Sequence, residues 1–196
     1  MKEQKERVKM NNEKYEVIAL FGKSASGKDT IQKWIVSNFD FVHGIVSCTT
    51  RPIRENEQEG VDYHYLTNEE FAEKVLNGDM LEATSFNNWF YGTPIDALSK
   101  DKVNVGVFNI AGINCLLQDN RVVVKPIMIY ADDKTRLLRS LTREEKPNCA
   151  EICRRFMTDE KDFDDFDFWH SCYFNEDGKE IDKDWWTNYL TFGKSN

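Results

Sequence analysis

A chain of 196 residues with 40% hydrophobic residues, thirteen Phe, seven Tyr and five Trp can close one core, and 31% charged residues keep its surface wet, which excludes wholesale disorder. A net charge of −8 argues against a nucleic-acid duplex or an anionic membrane as the main partner, because both require a concentrated basic face. No apolar run approaches the ~20 residues of a membrane span, so the expectation is a cytoplasmic protein that binds neither nucleic acid nor membrane.

Residues 1–14 are polar with mixed charge and read as a flexible extension, leaving 15–196 as a single domain. Tyr15–Phe21 is a short apolar run ending at Gly22, as a buried parallel strand feeding a tight turn would be. Ile31, Trp34, Ile35 and Val36 then recur at helical spacing as far as Asn38. Thr67 followed by Glu70 makes a capping box for a helix carrying Phe71, Val75 and Leu76 and stopped by Gly78. Val103–Ile110 and Lys125–Tyr130 read as buried strands, Asp132–Leu141 as a helix, and Phe166–Phe174 as a less regular strand candidate. Alternating strands and helices predict an α/β fold, a three-layer doubly wound parallel sheet with ligands at the carboxyl ends of its strands. Residues 48–95 break the rhythm and read as an inserted lobe, leaving 15–47 and 96–196 as the core.

The five cysteines, Cys48, Cys115, Cys149, Cys153 and Cys172, are odd in number and have neither paired C-x-x-C spacing nor a secretory leader. Buried structural thiols in a reducing compartment are expected, ahead of a zinc site drawn from Cys149, Cys153, His170 and Cys172. Eleven Asp and Glu fall between residues 159 and 184, whereas arginine gathers at 136–155 and at Arg51 and Arg54. An acidic protein that concentrates arginine in two short places offers those places to small anions such as phosphates.

Gly22-Lys23-Ser24-Ala25-Ser26-Gly27-Lys28 is G-x-x-x-x-G-K between a predicted strand and a predicted helix, the context in which this pattern binds the phosphates of a nucleoside triphosphate. Its glycines let backbone N–H groups turn toward phosphate oxygens, the helix N-terminus adds partial positive charge, and Lys28 reaches the transferring group. The pattern calls for Ser or Thr after the lysine, but Asp29 stands there with Thr30 one step later. Three roles stay open: Asp29 holds Mg²⁺ through water, Thr30 supplies the hydroxyl, or Asp29 only stabilises the helix start.

Ser47-Cys48-Thr49-Thr50-Arg51-Pro52-Ile53-Arg54, then Glu57, Gly60, Asp62-Tyr63, Leu81-Glu82 and Tyr91-Gly92-Thr93, closely resemble the guanylate kinase family over roughly residues 16–160. The resemblance implies a P-loop kinase core, an inserted monophosphate-binding lobe and a helical lid at about 139–155. It implies ATP with Mg²⁺ as phosphoryl donor and GMP or dGMP as acceptor. Arg51 and Arg54 would grip the acceptor's phosphate with Tyr63. Glu82 would take the paired N–H donors that guanine presents and adenine does not, with Ser47, Tyr91 and Thr93 completing the pocket. Arg139, Arg143 and Arg154 fall at the lid positions, with Arg155 able to replace Arg154, and would neutralise charge on the migrating phosphoryl group. The bland alternative is a solvated helical face on which these arginines pair with Glu144, Glu145 and Glu151.

The chain departs from the family's pattern in three places. Asn56 replaces the first glycine of the lobe motif, and Glu144 follows Arg143 where the lid has glycine. Val107-Phe108-Asn109-Ile110-Ala111-Gly112 replaces D-x-D-x-x-G, leaving Asn109 for altered acceptor or sugar contacts. Such divergence resembles phage-encoded nucleotide kinases. Two rival readings follow: a kinase for another (deoxy)nucleoside monophosphate or a phosphorylated sugar, and a non-catalytic guanylate-kinase-like binding module.

Overall fold

The computed structural model describes residues 14–54, 57–86, 88–164 and 171–191, and its central strand is β1 (Tyr15–Phe21). Five strands lie parallel in the order β2 (Val42–Gly44), β7 (Val103–Val107), β1, β8 (Val122–Tyr130), β9 (Cys172–Phe174). Because strand side chains alternate, Ile18 and Leu20 join one cluster with Ile31 and Ile35 of helix α1 (Lys28–Asn38). Trp186 and Leu190 of α6 (Lys183–Thr191) complete that face. Val17, Ala19 and Phe21 face the other way, against Ile113 and Leu116 of α3 (Ile110–Gln118) and Phe163 of α5 (Cys149–Asp164). Helices on both faces of one parallel sheet are the three layers that the sequence predicts.

The remaining strands form a second sheet in the order β4 (His64–Tyr65), β3 (Cys48–Thr49), β6 (Trp89–Pro94), β5 (Met80–Phe86). Helix α2 (Asn68–Leu76) packs there through Phe71, whose ring stacks on Phe90 at 5.5 Å. Both halves of the predicted capping box are present: Glu70 N–H donates to Thr67 Oγ1 at 3.1 Å, and Thr67 N–H donates to Glu70 Oε2 at 2.8 Å. Helix α4 (Asp133–Thr142) begins as the sequence suggests, with Asp132 accepting from Thr135 N–H.

Several boundaries differ from the sequence reading for local reasons. The strand read as Val103–Ile110 ends at Val107, because Asn109 caps α3 by accepting the Gly112 N–H at 2.7 Å. Strand β8 starts three residues earlier than Lys125. Pro126 is tolerated within it because β9 pairs with β8 only from Met128 onward. The candidate at Phe166–Phe174 yields a strand at Cys172–Phe174, and residues 166–170 lie outside the described residues, as do 1–13 of the proposed extension.

The expectation of buried thiols is corrected. Only Cys48 is buried, Cys172 is intermediate, and Cys115, Cys149 and Cys153 are exposed free thiols, because the helix faces that carry those three turn to solvent. Among the described residues no three His, Cys, Asp or Glu gather as a metal cluster, and His170 of the weaker zinc reading lies outside them. No helix of the described residues is long and apolar enough to cross a membrane.

Candidate active site

The Gly22–Lys28 loop leaves the carboxyl end of β1 between β7 and β8, the switch point where ligands of such sheets bind. Gly22 has φ +149, and a Cβ there would lie 2.3 Å from Ile129 O. Gly27, at φ +96, caps α1, and no side-chain cap hydrogen bond is made there among the described residues. Ala25 holds φ +60, a left-handed value that costs a non-glycine residue about 1–2 kcal/mol. Lys28 folds back over the loop, donating to Gly22 O at 2.8 Å and Lys23 O at 3.1 Å. Burial lowers its pKa, while the nearby charges of Asp29 and Asp159 act in the opposite sense. Ser26 Oγ is buried without a hydrogen-bond partner among the described residues, a polar atom left over inside the loop. Uncapped helix amides, an orphaned hydroxyl and a lysine tethered only by carbonyls fit a polyphosphate ligand. Asp29 and Thr30 stand exposed on the first turn of α1.

Arg51 lies in the second sheet's loop region, buried to 8% exposure and paired bidentately with Glu57 at 2.9 and 2.8 Å. Its guanidinium lies 5.6 Å from the Tyr63 ring and 5.8 Å from the Tyr65 ring. Burial would raise the Glu57 pKa. Hydrogen bonds from Arg51, the Arg54 amide and the Tyr65 hydroxyl overcome it and pull the carboxyl down to about 2. Arg54 is 53% exposed, its NH1 3.9 Å from Glu57 Oε1, so the two forks meet around one carboxylate. The Tyr63 ring packs 6.1 Å from Tyr91. Burial and then the charge of Asp29 push the Tyr63 hydroxyl up to about 12. Lys33 of α1 bonds Asp62 at 3.1 Å, which ties the helix after the glycine-rich loop to the segment that carries Tyr63.

Glu82 on β5 is buried, and Thr93 on β6 donates its hydroxyl to Oε1 at 2.8 Å. Ser47 Oγ lies 2.8 Å from Thr93 Oγ1, so the three polar side chains form one row. Burial lifts the Glu82 carboxyl to about 7, with the Thr93 hydrogen bond opposing the rise. A Cβ on Gly112 would come within 3.2 Å of Glu82 Oε2, so the glycine keeps that oxygen's surroundings open. Asn109 is engaged twice, capping α3 and donating to Thr84 Oγ1 at 3.2 Å.

The arginines at the family's lid positions have distinct partners. Arg139 donates to Ser26 O at 3.2 Å and Ala25 O at 3.4 Å, and to Asp177 at 2.6 and 3.0 Å, so it already touches the loop. Arg143 is exposed where α4 ends. Arg154 and Arg155 both bond Glu151, at 2.7 and 2.9 Å, the helical-face pairing that the bland alternative described.

Sequence reasoning left out four residues that the fold brings to the loop. Asn175, directly after β9, donates to Ser26 O at 2.7 Å. Its signal is a polar residue directly after the less regular strand candidate Phe166–Phe174. Arg136, Asp159 and Glu160 also reach the loop, yet in sequence they belong to an arginine cluster and an acidic run that look solvated.

The family model for guanylate kinase matches residues 14–182. The guanylate kinase of Malacoplasma penetrans (strain HF-2) is 41% identical over 152 residues, covering 74% of this chain and 69% of that protein. That of Helicobacter hepaticus is 29% identical over 140 residues, covering 69% and 70% respectively. The crystal structure of guanylate kinase from Anaplasma phagocytophilum has a TM-score of 0.65 at 20% identity, covers 94% of this chain and 88% of that chain, and shares the fold. A matching family model, a matching relative and a shared fold agree with the loop, lobe and arginine geometry: the chain belongs to the guanylate kinase family.

Proposed function

We infer that this chain catalyses the reaction of its family, transfer of the γ-phosphoryl group of ATP to GMP, with dGMP accepted as well. The observation that carries the acceptor assignment is Glu82, a buried carboxyl in a row with Thr93 and Ser47, in the same lobe as the Arg51–Tyr63 cluster. Ionised, Glu82 offers two acceptor oxygens to the adjacent N–H donors of guanine; adenine presents no such pair. The acceptor's phosphate then falls to Arg51, Arg54 and Tyr63, with Tyr91 packed against Tyr63, and Asn109 holds the Gly112 amide next to Glu82.

The acceptor is already a phosphate oxyanion, so no side-chain nucleophile is required, and the work is positioning and charge stabilisation. Residues 22–28 cradle the donor's phosphates, with Lys23, Ser24 and Ala25 shaping the turn, and Lys28 exchanges its two carbonyl bonds for the transferring group. Arg139 is poised beside the loop, while Arg143 and Arg154, or Arg155 in its place, come from the lid at about 139–155. The core of 15–47 and 96–196 carries the donor, and the lobe at about 48–95 carries the acceptor. Mg²⁺, when bound, supplies positive charge among the phosphate oxygens. It takes few protein ligands, so the exposed oxygens of Asp29 and Thr30 suit it. The closing of the lid would exclude water that would otherwise hydrolyse ATP.

A coupled assay of ADP release with GMP, dGMP, AMP, dTMP and CMP in turn tests the reading. Turnover concentrated on GMP and dGMP is expected; equal rates across the five would remove the Glu82 assignment.

A further inference from the structure

Ser24 is held on both sides by one ion pair whose arginine is buried. Arg136, on α4, is 1% exposed and donates through Nε to Ser24 O at 2.9 Å. Its NH2 donates to Asp159 Oδ2 at 2.6 Å and its NH1 to Asp133 Oδ1 at 2.6 Å, while the Phe156 ring lies 4.4 Å from the guanidinium carbon. Asp159, on α5, accepts the Ser24 N–H at 2.8 Å and the Ser24 hydroxyl at 3.1 Å. Lys23, the preceding residue, pairs with Glu160.

The next residue is Ala25, at φ +60. A left-handed alanine persists only where its surroundings over-determine it. On its other side Ser26 O accepts from Asn175 and Arg139. The strained residue is therefore clamped at both neighbours, and the clamp before it is a charged pair set between two helices, its arginine buried and its aspartate 13% exposed. A buried ion pair is seldom retained for stability, since apolar residues of equal volume often do as well.

We propose that Arg136 and Asp159 are positioning residues that hold the Gly22–Lys28 loop in its phosphate-accepting shape and tie it to the helices bearing the lid arginines. Arg136 lies one helical turn before Arg139 on α4, and Asp159 little more than a turn after Arg154 and Arg155 on α5. Movement of either lid helix is thus transmitted to Ser24. The proposal rests on the assignment of the loop to ATP and adds to it two residues that touch neither nucleotide.

The test is the double variant Arg136→Leu with Asp159→Leu, which keeps the packing volume, beside Asp159→Asn alone. The KM for ATP should rise about tenfold or more in both, with the KM for GMP within about twofold of the parent, because a displaced loop loses donor alignment while the acceptor lobe is untouched. Binding of a non-hydrolysable ATP analogue, followed by calorimetry, should weaken in parallel and reads the clamp even if GMP proves not to be the acceptor. A folded double variant with unchanged ATP KM and analogue affinity overturns the proposal. Hydrogen exchange on the parent chain keeps it falsifiable should both variants fail to fold. The Ser24 amide is expected to be protected without nucleotide, and exchange at the rate of an open loop would overturn the clamp.

Discussion

Thr93 donates its hydroxyl to Glu82 at 2.8 Å from the neighbouring strand, and that hydrogen bond is too weak an offset to keep the buried carboxyl in the ordinary range. Glu82 therefore titrates at about 7 with no acceptor bound, inside the physiological window. Reading guanine requires the ionised form, so recognition and fold stability pull this side chain in opposite directions.

The pH dependence of acceptor binding follows. Between pH 6 and pH 8 the ionised fraction of Glu82 rises roughly tenfold, and the KM for GMP should fall by about that factor. The acceptor's phosphate also titrates near pH ~6. Parallel profiles of the parent and Glu82→Gln isolate the carboxyl, and the variant's profile should lack the step near 7.

Stability should respond with the opposite sign. A carboxyl whose folded pKa lies above its unfolded value contributes most when protonated, below about 4.5, and that contribution is lost as pH rises through about 7. Glu82→Gln should then be more stable than the parent at pH 8, by at most about 3 kcal/mol, and equal to it near pH 4. Urea denaturation at the two pH values measures this, and the same variant should discriminate poorly between GMP and AMP.

Glu57 has the reverse linkage. Its carboxyl is held at about 2, so its contribution is present above about 4.5 and lost as pH falls toward 2. Arg51→Ala removes the two strongest bonds to that carboxylate. It should flatten the acid limb of the stability profile, lower stability at pH 7 by about 2–3 kcal/mol and raise the KM for GMP by more than about tenfold. Arg51→Lys restores charge but not the fork, and should recover less than half of either loss.

Lys28→Ala should lower kcat by about two orders of magnitude or more while the melting temperature stays within a few degrees, since among the described residues the lysine bonds only loop carbonyls. Steady-state kinetics with saturating GMP, paired with a thermal melt, checks both halves.

The strand–loop–helix unit at Tyr15–Asn38 and the capping box at Thr67 were legible because each is set by residues near in sequence: a glycine-bounded apolar run, a lysine at a fixed offset, a hydroxyl three residues before a carboxylate. Glu82, Thr93 and Ser47 were legible as a set only through the resemblance to the guanylate kinase family, and their row exists because β3, β6 and β5 lie side by side. Arg136 and Asp159 were not legible. Charges 23 residues apart inside charged stretches carry no mark of burial, and only the packing of two helices against the loop removes them from water. The capping of α3 by Asn109 was not legible either, because it depends on where a strand stops, which the apolar pattern through Ile110 concealed.

The most direct measurement follows the label of [γ-³²P]ATP in the presence of GMP and, separately, without acceptor. The predicted result is label in GDP in proportion to ADP formed, with little inorganic phosphate when GMP is absent. Label released as inorganic phosphate at the same rate with and without GMP would contradict phosphoryl transfer between the two facing cradles.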